Sequence, residues 1–160
     1  MNTISHYVLN RLFVSSAIKS KRGGTIVTVS SVLGRLGAAQ LSAYTATKAA
    51  LIAYHNSLVA ELEPYPDIKT ILVTTGQLST DMFSDLEPGP LQHFFGPTVE
   101  VSELAMKILR MVLAGSGGVI AEPAYARWVC VLDILPVGVQ RMVRRVAGVD
   151  TAMKTFGKKL

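Results

Sequence analysis

Cysteine, aromatic residues and long hydrophobic runs are scarce in this sequence. The single cysteine, Cys130, excludes an internal disulfide. The longest apolar stretch, residues 128–139, is interrupted by Asp133 and Pro136 and is shorter than the roughly 20 residues that a membrane-spanning helix needs. No basic segment followed by an apolar one opens the chain, so we expect neither a signal sequence nor a transmembrane segment.

The sequence also lacks the signatures of metal and nucleic-acid binding. Its three histidines have no ligand spacing, and no aromatic residues alternate with basic ones as in proteins that bind single strands. We therefore predict no metal site and no nucleic-acid partner. The apolar neighbours of Cys130 favour a buried structural thiol over a reactive one. The histidines, which we interpret as structural or solvated, are His6, His55 and His93.

The residues that are abundant are typical of a globular α/β protein. Hydrophobic residues make up 49% of the chain and charged residues 17%. The helices are expected at residues 2–20, 42–63 and 101–113, and the strands at 25–29, 68–74 and 117–121. Strands that alternate with long helices form a parallel sheet, so we expect a partial Rossmann-like, doubly wound parallel sheet of about three strands with flanking helices.

The predicted sheet is thin, and its first strand would have an unpaired edge. Complete proteins avoid a bare edge on a buried apolar strand, so we expect an N-terminal half of the sheet that these 160 residues lack. Residues 1–123 are assigned to the C-terminal half of a Rossmann domain. Residues 124–160 are assigned to a basic, amphipathic helical tail, because six basic residues and one acidic residue follow residue 140.

Three residues at a defined spacing carry the chemistry. Ser31 follows the first predicted strand, at the carboxyl end where parallel sheets bind ligands, and Tyr44 comes thirteen positions later. Tyr44 and Lys48 project from one face of a helix because they are four residues apart. A neighbouring ammonium favours the phenolate form of a tyrosine, and a serine hydroxyl can hold a substrate oxygen. The set therefore suits proton transfer at a carbonyl or an alcohol.

This pattern resembles the short-chain dehydrogenase/reductase family over nearly the whole chain. The family's G-x-I-V-x-V-S-S and Y-x-x-x-K are matched by Gly24–Ser31 and Tyr44–Lys48. Its P-G-x-(V/I)-x-T is similar to residues 75–80, where Thr75 replaces the usual proline. Met1-Asn2-Thr3 resembles the opening of the helix that carries the family's asparagine.

The resemblance implies a catalytic role for four residues. Tyr44 would be the general acid/base, and Ser31 would orient the reacting oxygen. Lys48 would stabilise the phenolate and hold the nicotinamide ribose, while Asn2 would anchor a proton-relay water. The implied reaction interconverts an alcohol and a carbonyl.

The resemblance also implies a cofactor, NAD or NADP, and residues that bind it. Leu78 would back the nicotinamide ring, and Thr80 would bond its carboxamide or a phosphate. The implied cofactor-binding set is Tyr44, Lys48, Gly76, Leu78 and Thr80.

The part of a dinucleotide site that holds the pyrophosphate is not found. It needs a glycine-rich turn between a strand and a helix, whereas Gly115–Gly118 follows a helix and precedes a strand. Two interpretations stay open: the chain is a piece of a longer active oxidoreductase, or it is a catalytically inactive relative that acts as a dimerisation module. Helices 2–20 and 42–63 resemble the pair through which the family dimerises, which implies a homodimer.

Two further segments concern substrate and location. Apolar side chains in the loop after the cofactor motif favour a lipophilic substrate such as a retinoid, a steroid or a long-chain alcohol, or they simply pack the loop. They are Met82, Phe83, Leu86, Leu91, Phe94 and Phe95. The basic tail could lie on a membrane interface or cap the core with a solvated face. It resembles the microsomal retinol-dehydrogenase-like branch, which implies peripheral attachment on the cytoplasmic side, at the endoplasmic reticulum or lipid droplets.

Overall fold

Helices alternate with parallel strands along the chain, as the sequence predicts. The computed structural model describes residues 3–79 and 98–150. The helices are α1 (Ile4–Ser20), α2 (Ser42–Glu61), α3 (Val101–Leu113), α4 (Val129–Leu132) and α5 (Val137–Val146). The strands are β1 (Gly24–Ser31), β2 (Ile68–Thr75) and β3 (Gly118–Glu122). Short 3-10 helices occupy Val32–Gly34 and Ala124–Arg127.

The sheet has the order β1-β2-β3, and both pairings are parallel. The register runs from Gly24 opposite Ile68 to Ser31 opposite Thr75, so β1 and β2 end together. β2 is central and buried, which explains its β-branched, apolar sequence. Within the residues that the structure describes, the outer edge of β1 has no partner strand, as expected from the sequence.

Helices cover both faces of the sheet, which confirms the predicted α/β, Rossmann-like architecture. On one face, Ile26 of β1 packs against α1 and α2 in a cluster with Ala17 and Leu58. On the other face, β2 packs against Leu104 of α3. The β2 residues in this contact are Ile71 and Val73, whose side chains are fully buried. A third cluster joins Val32 and Ala121 to Ala126 and Val129.

Five elements differ from the predicted ranges by one or two residues at an end, and two of these differences are at the carboxyl ends of β1 and α2. β1 extends to Ser31 because Ser30 and Ser31 continue the ladder opposite Thr74 and Thr75, so Ser31 is the last residue of the strand and not the first beyond it. α2 ends at Glu61, where the Leu62 N–H bonds back to carbonyls of the last turn.

The predicted burial of Cys130 is wrong, because this thiol is exposed. α4 is a single turn that buries only Val129, and Cys130 therefore lies on its solvent side. Val129 and Ala126 share a cluster with the end of the sheet, so residues 124–150 pack on the preceding part of the chain. A division of the chain at residue 123 stays a prediction. None of the helices in residues 3–79 and 98–150 has the length and hydropathy that crossing a membrane requires.

Candidate functional site

The candidate site lies at the carboxyl edge of the sheet, where β1 and β2 end side by side. Ser31 is the last residue of β1 and pairs with Thr75, the last residue of β2. Both are buried, and Gly76 follows directly. This edge is where open parallel sheets bind ligands.

The hydroxyl oxygen of Ser31 is held by a backbone donor. Its Oγ accepts a hydrogen bond of 3.2 Å from the backbone N–H of Leu33 and thereby caps the 3-10 helix that follows β1. Because the hydroxyl accepts this bond, its own proton stays available to a substrate oxygen.

Lys48 and Tyr44 form a neighbouring pair on α2. The Lys48 Nζ lies 5.7 Å from the centroid of the Tyr44 ring, within the range of cation–π attraction. It also donates a hydrogen bond of 3.1 Å to the carbonyl of Val29. Burial lowers the pKa of the Lys48 ammonium, because a partly desolvated charge is less stable.

The backbone of Lys48 is held against β1 by contacts that the motif does not reveal. The Ser30 hydroxyl donates a hydrogen bond of 2.9 Å to the Lys48 carbonyl. Gly34 packs on the same peptide: a Cβ there would lie 2.9 Å from the Lys48 carbonyl carbon. Such a distance leaves no room for a side chain, so a glycine is required. The paired serines at the strand end were the only sequence signal for this contact.

The segment after β2 forms the second wall of the site. The Gly76 N–H donates a hydrogen bond of 2.7 Å to the Glu122 carbonyl. A Cβ on Gly76 would lie 2.7 Å from the hydroxyl of Tyr125. Burial raises the pKa of the Tyr125 phenol, so it stays neutral. Sequence reasoning missed Tyr125, because nothing in its local sequence points to Gly76.

Leu78 is positioned by a second backbone contact. It forms a parallel bridge with Val99, whose N–H donates to the Gln77 carbonyl at 2.8 Å. Its half-buried side chain packs against the cluster under α3.

The structure brings most of the predicted site residues to one edge of the sheet. Lys48 contacts the two residues of β1 that precede Ser31, Tyr44 lies one turn before Lys48, and Gly76 follows the strand partner of Ser31. Asn2, Thr80 and the apolar residues between 82 and 95 lie outside the described residues.

Comparison with known proteins places these features in a family context. Residues 1–90 match the family described as short chain dehydrogenase. Among curated proteins, "Uncharacterized oxidoreductase TDA5" of Saccharomyces cerevisiae is 42% identical over 136 residues, which cover 84% of this chain and 41% of that protein.

Solved structures show the same fold. "4-hydroxyisoleucine dehydrogenase complexed with NADH" matches with a TM-score of 0.63 at 21% identity, over 74% of this chain and 54% of that one. A "Short chain dehydrogenase from Burkholderia cenocepacia" in complex with NADP matches with a TM-score of 0.58 at 27% identity, over 82% of this chain and 50% of that one. The chain thus spans about half the length of the proteins it matches, or less.

Proposed function

The chain belongs to the short-chain dehydrogenase family of oxidoreductases, and from that premise we propose that it carries the proton-transfer part of an NAD- or NADP-dependent site. The reaction interconverts an alcohol and a carbonyl. The observation that carries the proposal is the arrangement at the end of β1, where Ser31 stands beside the β1 residues that hold Lys48.

Tyr44 acts as the general acid and base in this proposal. In carbonyl reduction its hydroxyl gives a proton to the substrate oxygen, and in alcohol oxidation its phenolate takes that proton back. The Lys48 ammonium beside the ring stabilises the phenolate by charge. The buried Ser31 hydroxyl donates a hydrogen bond to the same substrate oxygen and holds it near Tyr44.

The described residues fit the nicotinamide end of a cofactor. An ammonium has three protons, and the Val29 carbonyl takes one from Lys48. No other acceptor bonds Lys48 in the part of the chain that the structure describes, so its remaining protons suit ribose hydroxyls. Leu78 would back the nicotinamide ring, beside Gly76. The bound nicotinamide supplies or accepts the hydride.

Two residues outside the described part complete the proposed site. Asn2 would anchor a proton-relay water, and Thr80 would bond the carboxamide or a phosphate. The two structural neighbours named above bind NADH and NADP respectively, which supports either cofactor here.

We further propose a lipophilic substrate, such as a retinoid, a steroid or a long-chain alcohol. The support is the apolar composition of residues 82–95, which follow the cofactor segment in sequence. We also propose peripheral contact of the basic tail with a membrane on the cytoplasmic side, at the endoplasmic reticulum or lipid droplets.

The test is Tyr44→Phe in the protein purified from its own cells. Loss of the proton donor should lower turnover by about 10² to 10⁴-fold, while the dissociation constant of the cofactor changes little. Turnover is followed by nicotinamide absorbance with retinal, a steroid ketone, a long-chain aldehyde and a small polar carbonyl. Tyr65→Phe, which removes a hydroxyl from an exposed loop, is the matched control and should leave turnover unchanged.

Undiminished turnover by Tyr44→Phe would contradict the catalytic assignment. Preference for the small polar carbonyl would contradict the lipophilic substrate alone.

A second candidate function is a non-catalytic module that pairs with a full-length relative through α1 and α2. The observation that favours it is the exposed apolar surface of α1, with Ile4, Val8, Leu9 and Leu12 open to solvent. This module would co-purify with such a relative, and Tyr44→Phe would change nothing.

A further inference from the structure

The C-terminal part of the described chain exposes large apolar side chains. Trp128 is 73% exposed, Ile134 81% and Met142 61%. No residue of α5 is buried, although the helix is strongly amphipathic. We call the exposed surface of residues 127–146 the tail surface.

Part of the apolar face of α5 points to solvent. Val139, Met142 and Val146 recur at helical spacing and share one face, whereas the arginines lie on the other. One of those arginines, Arg144, faces the protein and pairs with Asp150 at 2.8 Å. Val143 of the same face is half-buried against the protein, so the helix is rotated and only part of its apolar face, with Met142 and Val146, is left exposed.

The tail surface is also cationic. Its one acidic residue, Asp133, is paired with Arg35 at 3.6 Å. Arg127, Arg141 and Arg145 form no ion pair within residues 3–79 and 98–150. Exposed apolar groups flanked by unpaired arginines are complementary to a partner that has an apolar layer beneath a layer of anionic groups.

The surface is tied to the loop between the two proposed catalytic residues. Asp150, held by Arg144, accepts a hydrogen bond of 3.4 Å from the Ala39 N–H. Ala39 lies between Ser31 and Tyr44 in sequence. Arg144 and the half-buried Val143 therefore attach α5 to the protein, which leaves Met142 and Val146 for an external partner.

We propose that the tail surface binds anionic phospholipid membranes. α5 lies in the plane of the interface, with Met142 and Val146 among the acyl chains and Arg141 and Arg145 at the lipid phosphates. The inference specifies the lipid class and the residues of the tail contact proposed above, and it is independent of catalysis.

Flotation of the purified 160-residue chain tests the proposal. The chain should float with vesicles of phosphatidylcholine and phosphatidylserine and stay at the bottom with phosphatidylcholine alone. Added salt should reduce flotation, because it screens the arginines. Met142→Asp with Val146→Asp should abolish flotation and leave the thermal unfolding temperature unchanged, since both side chains are exposed.

Two double variants with the same net charge show whether flotation depends on the position of the basic residues or only on the net charge. Arg141→Glu with Arg145→Glu, and Lys19→Glu with Arg22→Glu at the end of α1, each reverse two charges and lower the net charge from +5 to +1. The first pair should weaken membrane partitioning roughly 30-fold or more, because each basic residue near an anionic surface contributes about fivefold. The second pair should float nearly as the unmodified chain does.

Three results would overturn the proposal. One is no flotation of the unmodified chain with anionic vesicles, and another is equal loss in both charge variants. The third is a sedimentation experiment in which Met142→Asp with Val146→Asp dissociates a dimer that never floats, because a second copy would then cover the tail surface.

Discussion

His55 is a buried titratable side chain in the middle of α2. Its Nδ1 lies 3.0 Å from the Thr28 hydroxyl inside the sheet–helix interface. Burial lowers the pKa of this imidazole below its usual 6.5. Glu63 and Lys69 line the open groove beside it, at the amino-terminal end of β2. The charged form of His55 is therefore disfavoured in the folded state.

Protonation of His55 should make the protein less stable in mild acid. The unfolded chain takes up this proton near pH 6.5 and the folded chain only at lower pH, so the free energy of unfolding falls as the pH drops below about 6.5. The slope is at most about 1.4 kcal/mol per pH unit, the value for one proton. Urea unfolding at several pH values between about 5 and 8 measures this slope of the free energy of unfolding against pH.

His55→Gln should flatten the dependence of the free energy of unfolding on pH. The control is His6→Gln on α1, where the imidazole is not buried, and it should leave the dependence unchanged. Asp150 affects stability at a lower pH than His55 does. Arg144 holds the pKa of the Asp150 carboxyl below 3.8, so the contribution of this carboxylate to the free energy of unfolding is lost only in stronger acid. An equally steep slope in His55→Gln would show that another group causes it.

At the residue level the sequence predicted side chains better than backbone contacts. The position of Lys48 beside the end of β1 agrees with the spacing, and the catalytic roles of Ser31, Tyr44 and Lys48 stay predictions. Ser30 and Gly34 could not be assigned, because their roles depend on the position of one carbonyl group, that of Lys48. A residue pattern does not encode that position.

At the scale of elements, Gly34 sets how closely α2 approaches the end of β1. A Cβ at position 34 would lie 3.0 Å from the Lys48 carbonyl oxygen and from the tip of Ile52. The oxygen is backbone and cannot move aside without moving the helix. The spacing between Ser31 and the helix that carries Tyr44 therefore depends on this glycine.

Gly34→Ala should displace α2 and destabilise the fold by about 1–3 kcal/mol, as overpacking does. Urea unfolding followed by circular dichroism measures the change. Gly37→Ala is the matched control in the same loop, since its Cβ would meet only Arg144 at 3.9 Å, and it should have little effect. Equal stability of the two variants would show that α2 tolerates a wider separation.

The order and type of the helices and strands could be predicted from the sequence, but which side of a helix packs against the protein could not. Apolar periodicity predicted α1, α2 and α3 and the strands between them to within three residues at their ends. The exposure of Cys130 and that of Met142 and Val146 on α5 were not predictable, because periodicity shows that a helix has two faces and not which one meets the protein.

At the scale of the whole molecule, α1 has exposed apolar side chains and borders an open groove. An open groove of about 480 Å³ separates α1 from α2 beside the contact of Tyr7 with Tyr54. The amide nitrogen of Asn10 in this groove is buried and has no hydrogen-bond partner in the described part of the chain. An unsatisfied buried donor and exposed leucines both favour contact with another chain.

We expect this chain to dimerise through α1 and α2, which is the homodimer that the resemblance implied, and we place the test on α1. Leu9 and Leu12 are each 64% exposed and are neighbours on the helix surface. Leu9→Glu with Leu12→Glu should weaken self-association about 100-fold or more, because burying each leucine contributes about 1.5–3 kcal/mol. Sedimentation velocity over a range of concentrations measures the effect.

Leu113→Glu at the end of α3 is the control for the dimer, since that leucine is 78% exposed but lies on another helix. It should leave the dissociation constant unchanged. A chain that stays monomeric at every concentration would argue against self-association through α1.

The contact between Tyr125 and Gly76 limits which substitutions the protein can accept at position 76. The phenol fills the volume in which a side chain at position 76 would begin. A larger residue at 76 clashes with it, and a shorter residue at 125 removes this clash but leaves the Cδ of Pro123 at 3.0 Å from the new Cβ. Two positions that stand 49 apart in the sequence therefore constrain each other, and a side chain at 76 should be tolerated better when residue 125 is small.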